Sequence, residues 1–229
     1  MSKNIVVVGA SRGIGKALVE KFATEANHNV YALSRNIEAM NASFGHLENV
    51  TTIALDLNSA TLEEDLKSAF GNITSVDILI NNAGYLVNKP FAEIKPADMV
   101  KSYQINVIGV MQTVQAALEK LNPNAHIVNI SSVGGFQGSV KFPGLSSYST
   151  SKAAVASFTE LFAEEYKESS FKINCLCLGS VQTEMLEEAF PGYKALVSPE
   201  QMAEYISQFA HTAHQWMNGK IIPVSLTTP

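Results

Sequence analysis

Tyr148 and Lys152 lie four residues apart in the run Ser147-Tyr148-Ser149-Thr150-Ser151-Lys152-Ala153-Ala154, at the head of a helical pattern that continues to Tyr166. Positions four apart on a helix stack on one face, so the phenol and the ammonium share a face. In water a tyrosine loses its proton near about pH 10. A neighbouring cation favours the phenolate and draws that value toward neutrality. Such a pair supplies a proton donor or acceptor matched to the interconversion of an alcohol and a carbonyl. An amphipathic helix can also carry the same two residues with no chemistry attached, so the rest of the chain decides.

A second group of residues could bind an anion. Asn4-Ile5-Val6-Val7-Val8 is a short β-branched run that reads as a buried strand. It feeds Gly9-Ala10-Ser11-Arg12-Gly13-Ile14-Gly15, and a helical pattern follows from Lys16. Strand, glycine turn and helix form the opening of a dinucleotide-binding unit. Glycines permit the tight turn and let backbone N–H groups approach a pyrophosphate, and the helix N-terminus adds a favourable field. The spacing here is GxxxGxG rather than GxGxxG.

Two other motifs overlap this segment. Ala10 to Lys16 approaches a phosphate-binding P-loop, but Ala10 replaces its first glycine and Ala17 replaces the hydroxyl that would hold magnesium. Gly9-Ala10-Ser11-Arg12-Gly13 fits the G-x-S-x-G elbow of serine hydrolases, with Ser11 as nucleophile. That elbow needs an oxyanion loop from an earlier strand, and only a few residues precede it here.

These residues must be positioned by a regular alternation of elements. Apolar β-rich runs fall near 4–8, 29–34, 50–55, 76–81, 125–131, 171–178 and 220–224. Helical patterns fall near 14–26, 59–70, 97–120, 147–168 and 199–210. The alternation predicts an α/β fold with one parallel sheet covered by helices on both faces. There is no repeat or credible linker, so one catalytic domain over 1–229 is expected. Gly134 to Ser147 and Thr183 to Pro199 have loop composition, and the second reads as a mobile lid.

Taken together, the motifs resemble the short-chain dehydrogenase/reductase superfamily over most of the chain. They are the glycine turn, Asp56-Leu57, Asn81-Asn82-Ala83-Gly84, Asn106 within Ile105-Asn106-Val107, Ser131-Ser132, and Tyr148 with Lys152, all in family order. The resemblance implies a doubly wound sheet of Rossmann type and nicotinamide-dependent chemistry on an alcohol or carbonyl. It implies that Ser132 bonds the substrate oxygen and that Tyr148 donates or accepts the proton. Lys152 would lower the Tyr148 pKa and bond the nicotinamide ribose, and Asn106 would hold a water leading from Lys152 toward solvent. Ser132 follows a strand, at the end of the sheet where open α/β folds bind ligands. The interval from Ser132 to Tyr148 is slightly longer than usual in the family.

The expected cofactor-binding residues are Gly9, Ser11, Arg12, Gly13, Ile14, Gly15, Ser34, Arg35, Asp56, Leu57, Asn82, Ala83, Gly84, Tyr148, Lys152, Gly179, Val181 and Thr183. Asp56 resembles the family's adenine-contacting acid, and Thr183 matches the residue that commonly bonds the carboxamide. At the end of the second strand an acid would accept from the ribose hydroxyls of NAD. This chain has Ser34 and Arg35 there, with Arg12 as a second cation, and an arginine accommodates a 2′-phosphate. NADP is therefore expected over NAD.

The chain departs from the family pattern at Val8, where a Thr is common, and at Leu178, where a Pro is common. Its tail lacks the glycine-rich ending of tetrameric members. The helices 97–120 and 147–168 resemble the family's dimerising pair, so a homodimer or homotetramer is expected.

Composition narrows the partners. Over 229 residues the chain is 46% hydrophobic and 16% charged, enough to bury a sizeable core, and its net charge is −5. That charge argues against nucleic acid. No run approaches the roughly 18 apolar residues of a membrane span, and no secretory signal is read. Cys175 and Cys177, two apart in an apolar strand, read as packing residues, and His211 and His214, which could share one helical face, read as surface or packing residues. A cytoplasmic, metal-free reductase of a small carbonyl compound is the expectation. A non-catalytic dinucleotide sensor on the same fold and the serine hydrolase stand as alternatives.

Overall fold

The computed structural model describes residues 2–25 and 28–226; Ala26, the last residue of the first predicted helix, lies outside them. The strands are β1 (Asn4–Val8), β2 (Asn29–Ser34), β3 (Val50–Ala54), β4 (Val76–Asn81), β5 (Leu121–Ser132), β6 (Lys172–Leu178) and β7 (Ile221–Val224). They form one sheet in the order β3-β2-β1-β4-β5-β6-β7. Every pairing in it is parallel. The strand order reverses between β1 and β4, and the crevice above that reversal is where such sheets bind ligands.

The helices are α1 (Gly13–Thr24), α2 (Ile37–Phe44), α3 (Leu62–Gly71), α4 (Pro96–Tyr103), α5 (Gly109–Ala117), α6 (Ser146–Glu165), α7 (Glu184–Ala189) and α8 (Pro199–Thr212). Alternation along β1 sends its side chains to both faces. Ile5 and Val7 pack with Leu18 and Phe22 of α1 and with Met202 and Ile206 of α8. Val6 and Val8 pack with Leu66 of α3, Val114 of α5 and Phe162 of α6. Fully burying a side chain such as Phe22 or Leu18 contributes roughly 1.5–3 kcal/mol relative to exposure. Both faces are thus covered, which is why β1 carries no polar alternation.

Polar side chains tie the amino-terminal edge of this packing. Glu25, past the end of α1, accepts from Ser207 of α8 at 2.9 Å and meets His211 at 3.3 Å. His28 Nδ1 accepts from the Lys3 amide at 3.1 Å. Among the described residues, no helix is long and apolar enough to cross a membrane.

Four elements differ from expectation. The helix expected over 97–120 is α4 and α5 joined by a π-helical turn, Gln104–Ile108, in which the Gly109 amide donates to the Gln104 carbonyl. One extra residue per turn turns Asn106 inward, and π turns of this kind concentrate at functional sites. β5 starts at Leu121 rather than 125, because the strand resumes across an irregularity where Asn124 takes φ 64°. α2 escaped the hydrophobic pattern because it is short; Asn36 caps it by accepting from the Ala39 amide at 3.0 Å. Part of the segment Thr183 to Pro199, expected as a loop, is α7, started by Thr183 Oγ1 accepting from the Leu186 amide at 3.3 Å.

Candidate active site

The expected site residues gather at the carboxyl ends of the strands. Gly9 follows β1, Ser34 closes β2, Asn82 follows β4, Ser132 closes β5 and Gly179 follows β6. The first strand end is built by close backbone approach. Gly9 takes φ +90°, and a Cβ there would lie 2.5 Å from the Ala83 amide nitrogen. A Cβ on Gly15 would lie 2.0 Å from the Gly9 carbonyl oxygen. Asn82 Nδ2 donates to that same carbonyl at 3.0 Å, and the Asn82 and Ala83 amides both donate to the Val8 carbonyl. The Asn-Asn-Ala-Gly segment is therefore a brace for the glycine turn.

The turn fits a dinucleotide phosphate. Arg12 is the N-cap of α1 and makes no side-chain bond to the amides of the first turn, which leaves them directed at the crevice. Ser11 Oγ accepts from Ser34 Oγ at 2.9 Å, joining the turn to the end of β2. Arg35 is exposed immediately beyond. Arg12, expected as a second cation for a 2′-phosphate, has its guanidinium on the Glu188 carboxylate of α7 at 2.5 and 3.2 Å. Thr183 lies over Gly13, with Cγ2 3.1 Å from the place a Cβ would take. Asp56 is exposed and accepts from the Asn58 amide at 2.9 Å, whereas Leu57 is buried against Gly109. Val181 pairs with Val197, and the Gly179 amide donates to the Val224 carbonyl at 2.8 Å.

The second half of the site is α6 and the elements facing its first turns. Lys152 is 4% exposed, and its Nζ donates to the Ile130 carbonyl of β5 at 2.8 Å. Burial pushes its pKa down to about 8. The nitrogen lies 5.9 Å from the centroid of the Tyr148 ring. Tyr148 is pushed up to about 12 by burial, and a hydrogen bond with Ser132 works in the opposite direction. The ammonium is aimed at a backbone carbonyl, and desolvation of the phenolate dominates.

Asn106 lies fully buried in the π turn. Its Oδ1 accepts from the Tyr85 amide at 2.7 Å, and its Nδ2 donates to the Tyr85 carbonyl at 2.9 Å and to Ser151 Oγ at 2.8 Å. A Cβ on Gly84 would lie 3.5 Å from Lys152 Nζ and 3.7 Å from Asn106 Oδ1, so the three residues converge. Both amide protons of Asn106 are spent on the protein, and a water could reach only its oxygen. Cys175 and Cys177 are buried behind α6 against Val155 and Ala156.

Sequence reasoning missed Ser151, which bridges Asn106 to the Tyr148 carbonyl at 2.7 Å. It also missed Glu188, the partner of Arg12, and Asn88, whose Nδ2 donates to the Ala189 carbonyl at the end of α7 at 2.8 Å. Ser151 was legible from its place on the face of α6 between Tyr148 and Lys152. The other two join segments far apart in the chain and left no local signal.

Comparison with known proteins agrees with this geometry. The family model described as short chain dehydrogenase matches residues 3–194. The chain is 30% identical to a 3-oxoacyl-[acyl-carrier-protein] reductase of Aquifex aeolicus, over 96% of this chain and 94% of that protein. It is 34% identical to carbonyl reductase family member 4 of Danio rerio, over 81% of this chain and 78% of that one. A solved short chain dehydrogenase from Escherichia coli CFT073, complexed with NADPH, superposes with a TM-score of 0.88 at 26% identity. That superposition covers 96% of this chain and 95% of the other.

Proposed function

The chain belongs to the short-chain dehydrogenase/reductase superfamily, and on that premise we propose that it is an NADP-dependent reductase of a small carbonyl compound, acting through Tyr148. Membership makes it an NAD(P)-dependent oxidoreductase. The direction, the cofactor preference and the residue roles are the proposal. The observation that carries it is the meeting of Ser132 with Tyr148 at the carboxyl end of β5, over a buried Lys152.

In this reading Ser132 holds the substrate oxygen. Tyr148, whose proton is retained at neutral pH by burial, gives it to that oxygen. The phenolate left behind is stabilised by the Ser132 hydroxyl and by the field of Lys152, which is still mostly an ammonium at pH 7. The nicotinamide cofactor, when bound, supplies the hydride. Gly9, Ser11, Gly13, Ile14 and Gly15 would hold its pyrophosphate, and Asp56, Leu57, Asn82, Ala83 and Gly84 would border its adenosine and ribose. Gly179, Val181 and Thr183 would border the nicotinamide. Asn106 orders the floor of the site through Tyr85 and Ser151.

The preference for NADP rests on Arg35 and Arg12 beside the Ser11–Ser34 pair, at the end of β2 where the chain carries Ser34 and Arg35 rather than an acid. A homodimer or homotetramer is supported by the apolar side chains exposed along α4, the π turn, α5 and α6, among them Val100, Ile108, Met111 and Leu161. A single cytoplasmic catalytic domain completes the reading, with no nucleic acid or membrane partner. Turnover of a panel of ketones and aldehydes, followed by NADPH and by NADH oxidation, tests it. Reduction of at least one carbonyl, faster with NADPH, is the expected result. Tight nucleotide binding without any turnover would replace the enzyme by a sensor.

A further inference from the structure

The segment between Ser132 and Tyr148 carries one buried-pointing cation that the proposed mechanism does not use. Lys141 sits in an exposed loop, yet its ammonium folds back. It donates to the Gly134 carbonyl at 3.2 Å, the Phe136 carbonyl at 2.6 Å and Ser139 Oγ at 2.8 Å. Those three bonds use all three donors of the ammonium. Ser139 Oγ in turn lies within reach of the carbonyls of Val133 and Phe136, between which its single proton is shared. Holding a long, freely rotating side chain in one place costs conformational entropy. A lysine spent this way stiffens what it grips.

What it grips is the turn that carries the Ser132 hydroxyl. The Gly134 amide donates to Ser132 Oγ at 3.2 Å, while the carbonyl of the same residue accepts from Lys141. The opposite side of the turn lies flat on α6: a Cβ on Gly134 would stand 2.8 Å from Ser149 Oγ. α6 therefore supports the turn from one side and Lys141 closes it from the other. Because Ser132 Oγ accepts from Gly134, its own proton remains free to donate toward Tyr148 or a substrate oxygen.

We infer that Lys141 is a positioning residue, which acts through the backbone of Gly134 to fix the direction of the Ser132 hydroxyl. The inference rests on the reading of Ser132 as the group that holds the substrate oxygen.

Two measurements test it, one of them free of any substrate. Amide exchange at Gly134, read by NMR, is expected to speed up about tenfold in Lys141→Met and in Ser132→Ala, and to stay near wild type in Lys141→Arg. Reduction of diacetyl and of ethyl acetoacetate is expected to lose about tenfold in kcat in Lys141→Met, with the KM for NADPH unchanged. In the Ser132→Ala background the same substitution is expected to cost less than about twofold, because coupled residues are not additive. Lys141→Gln repeats both measurements should Lys141→Met lower the urea midpoint. Unchanged Gly134 exchange overturns the inference, as does an equal kcat loss with and without the Ser132 hydroxyl. If the wild-type chain reduces neither probe, that failure belongs to the carbonyl-reductase reading, and Gly134 exchange alone decides the clamp.

Discussion

Arg12 in the glycine turn and Glu188 in α7 form an ion pair at 2.5 and 3.2 Å that ties a helix 176 positions away onto the expected phosphate site. The bond to Glu188 raises the Arg12 pKa and lowers that of Glu188. Both side chains are largely exposed, so the pair contributes little to stability. In the NADP reading a 2′-phosphate and the Glu188 carboxylate would be alternative partners for one guanidinium.

Removing that competitor should favour the phosphorylated cofactor alone. Glu188→Gln is expected to tighten NADPH binding by about twofold to fivefold, within the range of an exposed charge pair, and to leave NADH unchanged. Titration by nucleotide fluorescence measures both. An equal gain for NADH would mean that α7 gates the site without Arg12 choosing between cofactors.

The glycine turn should tolerate no side chain at its tightest point. A Cβ on Gly15 would stand 2.0 Å from the Gly9 carbonyl and 2.6 Å from Asn82 Nδ2, so backbone must move. Gly15→Ala is expected to cost about 1–3 kcal/mol in urea unfolding, the usual scale of overpacking. NADPH and NADH affinities should fall together. Wild-type stability in Gly15→Ala would show that the turn is looser than this contact implies.

His126 should make the fold sensitive to acid. It is fully buried on β5; its Nδ1 faces the Ala210 carbonyl at 3.0 Å and its Nε2 faces Asn174 Nδ2 at 3.0 Å. That arrangement places the proton on Nδ1, and burial pushes the pKa down to about 4. The unfolded chain takes up a proton near about pH 6.5 and the folded chain does not. Stability is therefore held above that pH and lost as pH falls toward 4. The loss amounts to about 3 kcal/mol at 1.36 kcal/mol per unit. Urea unfolding at pH 7.5 and 4.5 should show the wild type losing about 2–3 kcal/mol more than His126→Gln. Parallel losses in the two proteins would assign the acid response to other groups.

Lys152 should set the alkaline limit of the reaction. Its ammonium is held down to about pKa 8 by burial, so the field that stabilises a Tyr148 phenolate fades as pH rises through that value. The kcat for reduction is expected to fall above about pH 8, and that limb should be absent from the residual activity of Lys152→Met. A rate that stays flat to pH 10 would remove Lys152 from the proton-transfer step.

Much of this was legible in the chain, for physical reasons that also set the limits. All seven strands were found, because a sheet covered on both faces demands continuous apolar runs such as Ile5 to Val8. Tyr148 and Lys152 were placed together because they lie one turn apart on α6, and Ser132 joined them through the family resemblance and its place at a strand end. The break in the helix at Gln104–Ile108 was hidden, since a π turn keeps helical composition. α7 was hidden because Pro191 and Gly192 dominate its neighbourhood while Thr183 starts a helix of only six residues. The partner of Lys152 was hidden for a related reason. Spacing puts Lys152 on the same face as Tyr148, but only the fold shows that its ammonium spends a bond on the Ile130 carbonyl.

The central claim is that the phenol of Tyr148 delivers the proton, and Tyr148→Phe tests it most directly, because the ring stays to pack and only the hydroxyl is lost. Single-turnover oxidation of NADPH, with a ketone that the wild-type chain reduces, is the measurement. It should slow by roughly 100-fold or more, the scale of general acid catalysis, while NADPH affinity changes by less than about twofold. Full turnover in Tyr148→Phe would contradict the account and leave Ser132 and Lys152 without the group they are arranged around.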